Sequence, residues 1–147
     1  EENLLILARR HLGAPYGWGG RKESVDCSAL TQDVYRSMGI ELPRNSGEQA
    51  RTTPGVSFQG LSRKARLSLL KTLPVGSLLY MPGHIMIYSG EKNGIPMVIH
   101  ALGSKGVREK GAVRKVPVMK VVETPVEILG SSGVTLLMRV TKGIVIR

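Results

Sequence analysis

The sequence predicts an α+β domain, with helices in its first half packed on an antiparallel β-sheet in its second half. Two observations carry this. Apolar residues at helical spacing are confined to the stretch before Pro74, and strand-like runs split by Gly and Pro fill the rest. Glu91-Lys92-Asn93-Gly94 also has the composition of a hairpin turn between two such runs. The length, 147 residues, suits one domain with one core.

Residues 2–11 read as a helix with Leu4, Leu5, Ala8 and Leu12 on one face, stopped by Gly13. The next eight residues, Gly13-Ala14-Pro15-Tyr16-Gly17-Trp18-Gly19-Gly20, hold four Gly and one Pro and so form a loop. That loop carries the only Trp, Trp18, and precedes the only Cys, which makes it a candidate pocket wall. Residues 26–38 read as a second helix, with Asp26 as N-cap, Ala29, Leu30, Val34 and Met38 as its apolar stripe, and Gly39 as its end. Residues 42–46 are extended or turn. A third helix is expected over 62–71, capped by Ser62. The expected strands are Ser77–Met81, His84–Ser89, Ile95–His100, Val113–Met119 and Val134–Val140.

The net charge is +10, and residues 101–147 carry nine Lys or Arg against three Glu. A basic surface suits an anionic partner such as nucleic acid, acidic lipid or an acidic cell-wall polymer, or is simply a solvated surface. Nucleic acid is disfavoured, because aromatics are 4% of the chain and no zinc-finger spacing or basic-aromatic motif is present. No apolar run approaches the roughly 20 residues of a membrane span. The chain starts without Met, as a mature or trimmed form does, so missing targeting information says little about location. A single Cys excludes an internal disulfide and a Cys-based metal site.

Cys27 is the first candidate for chemistry. Behind an Asp26 cap it stands in the first turn of the second helix, where free N–H groups and the helix dipole favour a thiolate. Asp26 opposes this in part. The flanking Asp26 and Ser28 are polar, unlike the surroundings of a buried structural Cys. A cysteine nucleophile needs a base, usually His. His11, near the end of the first helix, reads as a solvent-facing cation. His84 and His100 sit on the two strands of the expected hairpin. With a three-residue loop at 91–93 they lie directly opposite each other, with β-carbons about 5 Å apart. Two adjacent imidazoles serve either a metal site or a base with an orienting partner. No third His or nearby carboxylate completes a metal set, so the reading is a Cys-His-His triad in a papain-like arrangement, without metal or other cofactor.

At this point the sequence resembles a known family, the NlpC-type bacterial cell-wall cysteine peptidases. The resemblance rests on Leu12 to Gly20, Asp26-Cys27-Ser28-Ala29-Leu30, Gly39 to Ser46, Gly83-His84-Ile85-Met86-Ile87-Tyr88 and Val98-Ile99-His100-Ala101. It covers about residues 4–101. It implies a papain-like α+β fold and one catalytic domain over 1–147, with Cys27 attacking a carbonyl, His84 as base and His100 orienting His84. It further implies that Tyr16 borders the nucleophile and helps hold the oxyanion, and that Asp26 and Ser28 bind the free amine of the stem peptide. The implied substrate is murein peptide, cut between γ-linked D-Glu and the diamino acid. The Met81-to-His84 stretch and the insert at 50–73 look most like the subgroup with N-terminal Src-homology-3-like domains, which this sequence lacks. Val25, Ala29, Ser77 and Met86 depart from the family pattern, and Met86, on the His84 face, is expected to narrow the site. The implied location is the cell envelope, periplasmic or secreted, with cytoplasmic peptide recycling as the alternative. Rival functions are an amidase or transacylase on the same fold, a non-catalytic wall-binding module, and a nucleic-acid binder.

Overall fold

The computed structural model describes residues 2–15, 27–36, 40, 42, 49 and 55–145. In chain order the elements are α1 (Glu2–Arg9), α2 (Cys27–Arg36), β1 (Gly55–Ser57), α3 (Arg63–Leu70), β2 (Leu78–Met81), β3 (His84–Lys92), β4 (Ile95–Glu109), β5 (Ala112–Pro125), α4 (Leu136–Arg139) and β6 (Lys142–Ile144). The strands form one six-stranded antiparallel sheet in the order β1-β6-β2-β3-β4-β5. Helices lie on both of its faces, because strand alternation gives it two apolar sides. On one face Leu4 and Ala8 of α1 and Ala29, Leu30 and Val34 of α2 share a core with Ile85, Ile87, Ile99 and Ala101. On the other, Leu70 of α3 and Leu136 and Leu137 of α4 share a core with Leu79, Met86, Tyr88 and Val98.

The first helix is shorter than expected. It ends at Arg9, so Leu12 is left exposed instead of joining the apolar face. The chain then turns through Gly13 (φ 85°), whose N–H donates to the carbonyl of Val121 at 2.9 Å. Arg9 donates to the Glu123 carboxylate from Nε at 3.2 Å and Nη2 at 3.1 Å, which ties the end of α1 to β5. In α2, Ala29, Leu30 and Val34 are buried as the stripe requires. Met38, Gly39 and the Asp26 cap lie outside the described residues, as do residues 43–46. The third helix is capped as expected, with the Ser62 hydroxyl accepting from the Ala65 N–H at 3.2 Å.

Three strand expectations are corrected. Residues 134–140 are not a strand: at Leu136–Arg139 the chain closes a helical turn that buries the neighbours Leu136 and Leu137. They form the short helix α4. The strands β4 and β5 run far beyond His100 and Val113–Met119, closing at Lys110-Gly111, where both φ angles are positive (50° and 80°), as in a two-residue type I′ turn. The edge strands β1 and β6, with three residues each, carry too little pattern to be read from sequence.

Arg66 fixes α4. It is 6% exposed, and its guanidinium donates to the carbonyls of Leu61 (2.8 Å), Leu137 (3.1 Å) and Val140 (2.6 Å). Two of these acceptors lie at the C-terminal end of α4, where the Leu137 carbonyl also accepts from the Val140 N–H at 3.4 Å and the Val140 carbonyl lies beyond the helix's own hydrogen bonds. Arg66→Met should cost about 2–3 kcal/mol, since charged hydrogen bonds are lost and buried carbonyls are left unpaired. Thermal unfolding should show this as a drop of roughly 5–10 °C. An unchanged melting temperature would remove Arg66 from this role.

Candidate active site

The turn between β2 and β3 sets the position of His84. Met81 pairs with His84, so Pro82 and Gly83 are the whole loop. Pro followed by a Gly with positive φ (83°) is the signature of a type II turn, which only Gly tolerates at the second place. His84 is thus the first residue of β3, at the end of the sheet. It is half-buried, whereas Met86 and Tyr88 further along are buried.

The register of β3 with β4 differs from the expectation. The loop is the two residues Asn93 and Gly94, both with positive φ (54° and 78°), and Lys92 pairs with Ile95. A bulge between Tyr88 and Gly90 then shifts the ladder, so that Ile87 pairs with Ile99. Continuing that register places Met86, not His84, opposite His100. His84 is the diagonal neighbour on the same face, within reach of an aromatic side chain. The rings meet across that diagonal: His84 Nε2 lies 2.8 Å from His100 Nδ1, with centroids 5.1 Å apart and planes at 59°. The step repeats on the next strand. Val98 pairs with Thr124 and His100 with Val122, and His100 Nε2 lies 2.9 Å from the diagonal Thr124 Oγ1.

The proton positions in this chain follow from its far end. One assignment makes every contact of this chain a hydrogen bond: a carbonyl only accepts, so in it the Thr124 hydroxyl donates to the carbonyl of Pro125 at 3.2 Å. Its oxygen then accepts the Nε2–H of His100. His100 is fully buried, and burial followed by the His84 charge holds its pKa well below the usual value, so its ring is neutral. Nδ1 of His100 is therefore a bare acceptor for the Nε2–H of His84. That leaves Nδ1 of His84 without a proton and without a hydrogen-bond partner among the described residues. Burial first, and the Arg139 charge second, push the His84 pKa down to about 4, so at neutral pH it is a free base.

The other expected site residues separate into two groups. Cys27 opens α2, with no acidic residue in the first turn of that helix, as the sequence reading requires. Its side chain, that of Ser28, and all of Tyr16, Trp18 and Asp26 lie outside the described residues. Met86 does not narrow the site. It is fully buried in the core beneath α3 and α4 and is not among the residues lining the cavity beside His84. His11 lies in the turn after α1 and takes no part in the His84–His100–Thr124 chain. Sequence reasoning missed Thr124 and Arg139. A Thr two residues past the strand partner of His100 is visible only once register is known. Among the described residues no cluster of three His, Cys, Asp or Glu could hold a metal ion, and no helix is long and apolar enough to cross a membrane.

Helices on both faces of an antiparallel sheet, with a helix opening on Cys and a His pair on adjacent strands, define a papain-like α+β protein. Residues 13–123 match the NlpC/P60 family, and the chain belongs to it. It is 32% identical over 95 residues to the gamma-D-glutamyl-L-lysine dipeptidyl-peptidase of Bacillus cereus, covering 64% of this chain and 27% of that protein. The structure of an NlpC/P60 endopeptidase from Photobacterium damselae subsp. piscicida is similar, with TM-score 0.73 and 29% identity over 86% of this chain and 32% of that one. RipD from Mycobacterium tuberculosis, described as a non-catalytic NlpC/p60 domain protein adapted to peptidoglycan binding, shares the fold at TM-score 0.53 and 16% identity, over 99% of this chain and 96% of that one. The chain thus spans less than a third of the length of the first two relatives.

Proposed function

We propose that this domain is a cysteine endopeptidase acting on murein stem peptides in the cell envelope, cutting between γ-linked D-Glu and the diamino acid. The observation that carries this is the hydrogen-bond chain Thr124–His100–His84, which presents His84 Nδ1 as a fixed, neutral base. The name of the Bacillus cereus relative supports the bond chosen. Ala29 and Leu30 in the first turn of α2 share a core with Ile85 and Ala101, the residues that follow His84 and His100. On this reading the Cys27 thiol comes within reach of His84 at the end of the sheet. There the Cys27 thiol gives its proton to His84 Nδ1 and its sulfur attacks the carbonyl carbon. As the tetrahedral adduct collapses, His84 returns the proton to the leaving amine. Water then cleaves the thioester by the same route, giving the carboxylate product and free thiol. By resemblance to the family, the role proposed for Tyr16 is to help hold the oxyanion, and the role proposed for Trp18, from its glycine-rich loop, is to wall the pocket.

Mass spectrometry of a digest of L-Ala-γ-D-Glu-diamino-acid peptide tests the reading. The expected products are the dipeptide L-Ala-D-Glu and the free diamino-acid fragment. A different cleaved bond, or acyl transfer to a second amine, would point to an amidase or transacylase. Binding without any cleavage would give the role described for RipD.

Asp26 and Ser28 flank the nucleophile in sequence, so an amine held by them would sit at a fixed distance from Cys27. The charge-assisted hydrogen bond from ammonium to Asp26 is worth about 1.5–3 kcal/mol. Acetylating the N-terminal L-Ala, or substituting Asp26→Asn, should therefore lower kcat/KM roughly 10- to 100-fold, part of it through misplacement of the scissile bond. Steady-state assays on free and acetylated peptides check this. Equal rates would mean that stems still attached to glycan are substrates too.

A further inference from the structure

A cavity of about 220 Å³ opens beside His84. Arg139, Ser104 and Ser131 line it together with His84, and no Asp or Glu does. Arg139 is the last residue of α4 and is exposed. Arg9, Arg36, Arg63 and Arg114 each pair with a carboxylate, but Arg139 has no such partner among the described residues. Its backbone is not free to wander. Leu136 and Leu137 are buried, and Arg66 holds the carbonyls of Leu137 and Val140 on either side of it. The cavity wall is close-set as well: a β-carbon on Gly106 would meet the carbonyl oxygen of Gly130 at 2.3 Å, so the β4 ribbon and the 130–133 loop touch backbone to backbone.

An unpaired guanidinium on a fixed element, beside two hydroxyls and with no acid in the lining, is a site for a carboxylate. Its place next to His84 says which carboxylate. The base that takes the thiol proton must hand it to the leaving amine, so the amine-side residue of the substrate has to lie against His84. We propose that this cavity is a subsite for a carboxylate of the amine-side residue, with Arg139 as its ion-pair partner and Ser104 and Ser131 as further donors. The inference rests on the peptidase reading above and adds to it a preference for an amine-side residue that keeps a free carboxylate. In a diamino dicarboxylic acid this is either the α-carboxylate or the one at the side-chain end.

Calorimetry on Cys27→Ala protein separates binding from turnover. Three tripeptides serve as probes: L-Ala-γ-D-Glu-diaminopimelate with both terminal carboxylates free, with the α-carboxylate amidated, and with the side-chain carboxylate amidated. One amidation should weaken binding about tenfold or more, and identifies the carboxylate bound. Adding Arg139→Gln should erase that difference, and Arg139→Lys should keep part of it. Equal affinity for all three peptides, or a difference that persists in Arg139→Gln, overturns the subsite. If the difference is found but wild-type protein leaves the free peptide uncut, the peptidase reading fails and the subsite stands. If none of the three binds, both fail.

Discussion

Cys27→Ala is expected to lower turnover by roughly 10⁴-fold or more while leaving the melting temperature close to that of the wild-type protein. The size of the effect follows from the chemistry. Without the sulfur there is no covalent intermediate, and His84 has no proton to move. The fold should survive, because the core of α2 is built by Ala29, Leu30, Val34 and Tyr35. The same residue should account for all thiol chemistry of the chain, since it is the only Cys. As the first residue of α2 it stands at the positive end of the helix dipole, with no acidic residue in that turn. Its pKa should lie below the free value of about 8.5, so iodoacetamide should alkylate it well below that pH and inactivate the protein with one label per chain. Full activity in Cys27→Ala would end the proposed mechanism.

Much of this architecture was legible because local patterns agree with it. The α2 stripe at Ala29, Leu30 and Val34, the Ser62 cap and a hairpin turn within 91–94 each depend on residues a few positions apart. The Cys at a helix start and the His on each of two hairpin strands needed nothing more. What failed was whatever depends on tertiary partners. The alternation of Val134, Leu136, Met138 and Val140 imitates a strand, but Arg66, seventy residues away in sequence, captures the carbonyls of a helical turn instead. The strand expected over Ile95–His100 runs on through Gly103, Ser104 and Gly106, with a bulge between Leu102 and Ser104. The His–His register was misjudged for a similar reason. The loop at Asn93-Gly94 alone would pair His100 with Ile87 and turn His84 to the other face; the bulge after Tyr88, which has no signature beyond Gly90, brings Met86 opposite His100 and so returns the two histidines to one face as a diagonal pair. The histidines still meet because imidazole is long enough to span the diagonal. Thr124 and Arg139 were invisible for the complementary reason: each matters only through what the fold sets beside it.

The two histidines should contribute unequally, and the third strand should matter. His84→Ala is expected to reduce kcat roughly 10³- to 10⁴-fold, the range of a lost general base. His100 touches no substrate; it holds one nitrogen of His84, so His100→Ala should cost roughly 10- to 100-fold, the worth of a charge-assisted hydrogen bond. His100→Asn should recover part of this, since an amide oxygen can accept the His84 Nε2–H. Thr124→Val removes the acceptor that keeps the His100 proton on Nε2. With that acceptor gone, the proton favours Nδ1, where it donates to His84 Nε2 and forces the His84 proton onto Nδ1, the nitrogen that must be bare. The expected result is a roughly tenfold fall in kcat with little change in KM, restored by Thr124→Ser, together with a tautomer change visible by nitrogen NMR of the imidazoles. A merely structural role for Thr124 would move stability but not the tautomer. His11→Ala should behave as wild type. The pH profile supplies the last check. The active couple forms when the first proton leaves the fully protonated Cys27–His84 pair, and that apparent value belongs to both groups. Burial and the Arg139 charge lower the His84 pKa to about 4, and a nearby thiolate-forming Cys lowers the apparent value of the couple as well, so the acid limb of kcat/KM should fall below the ordinary His value of about 6.5. Arg139→Gln removes one of those charges and should move the limb upward. A limb at or above pH 6.5 in the wild-type protein, or an upward shift absent in Arg139→Gln, would show that His84 is not held neutral in this way.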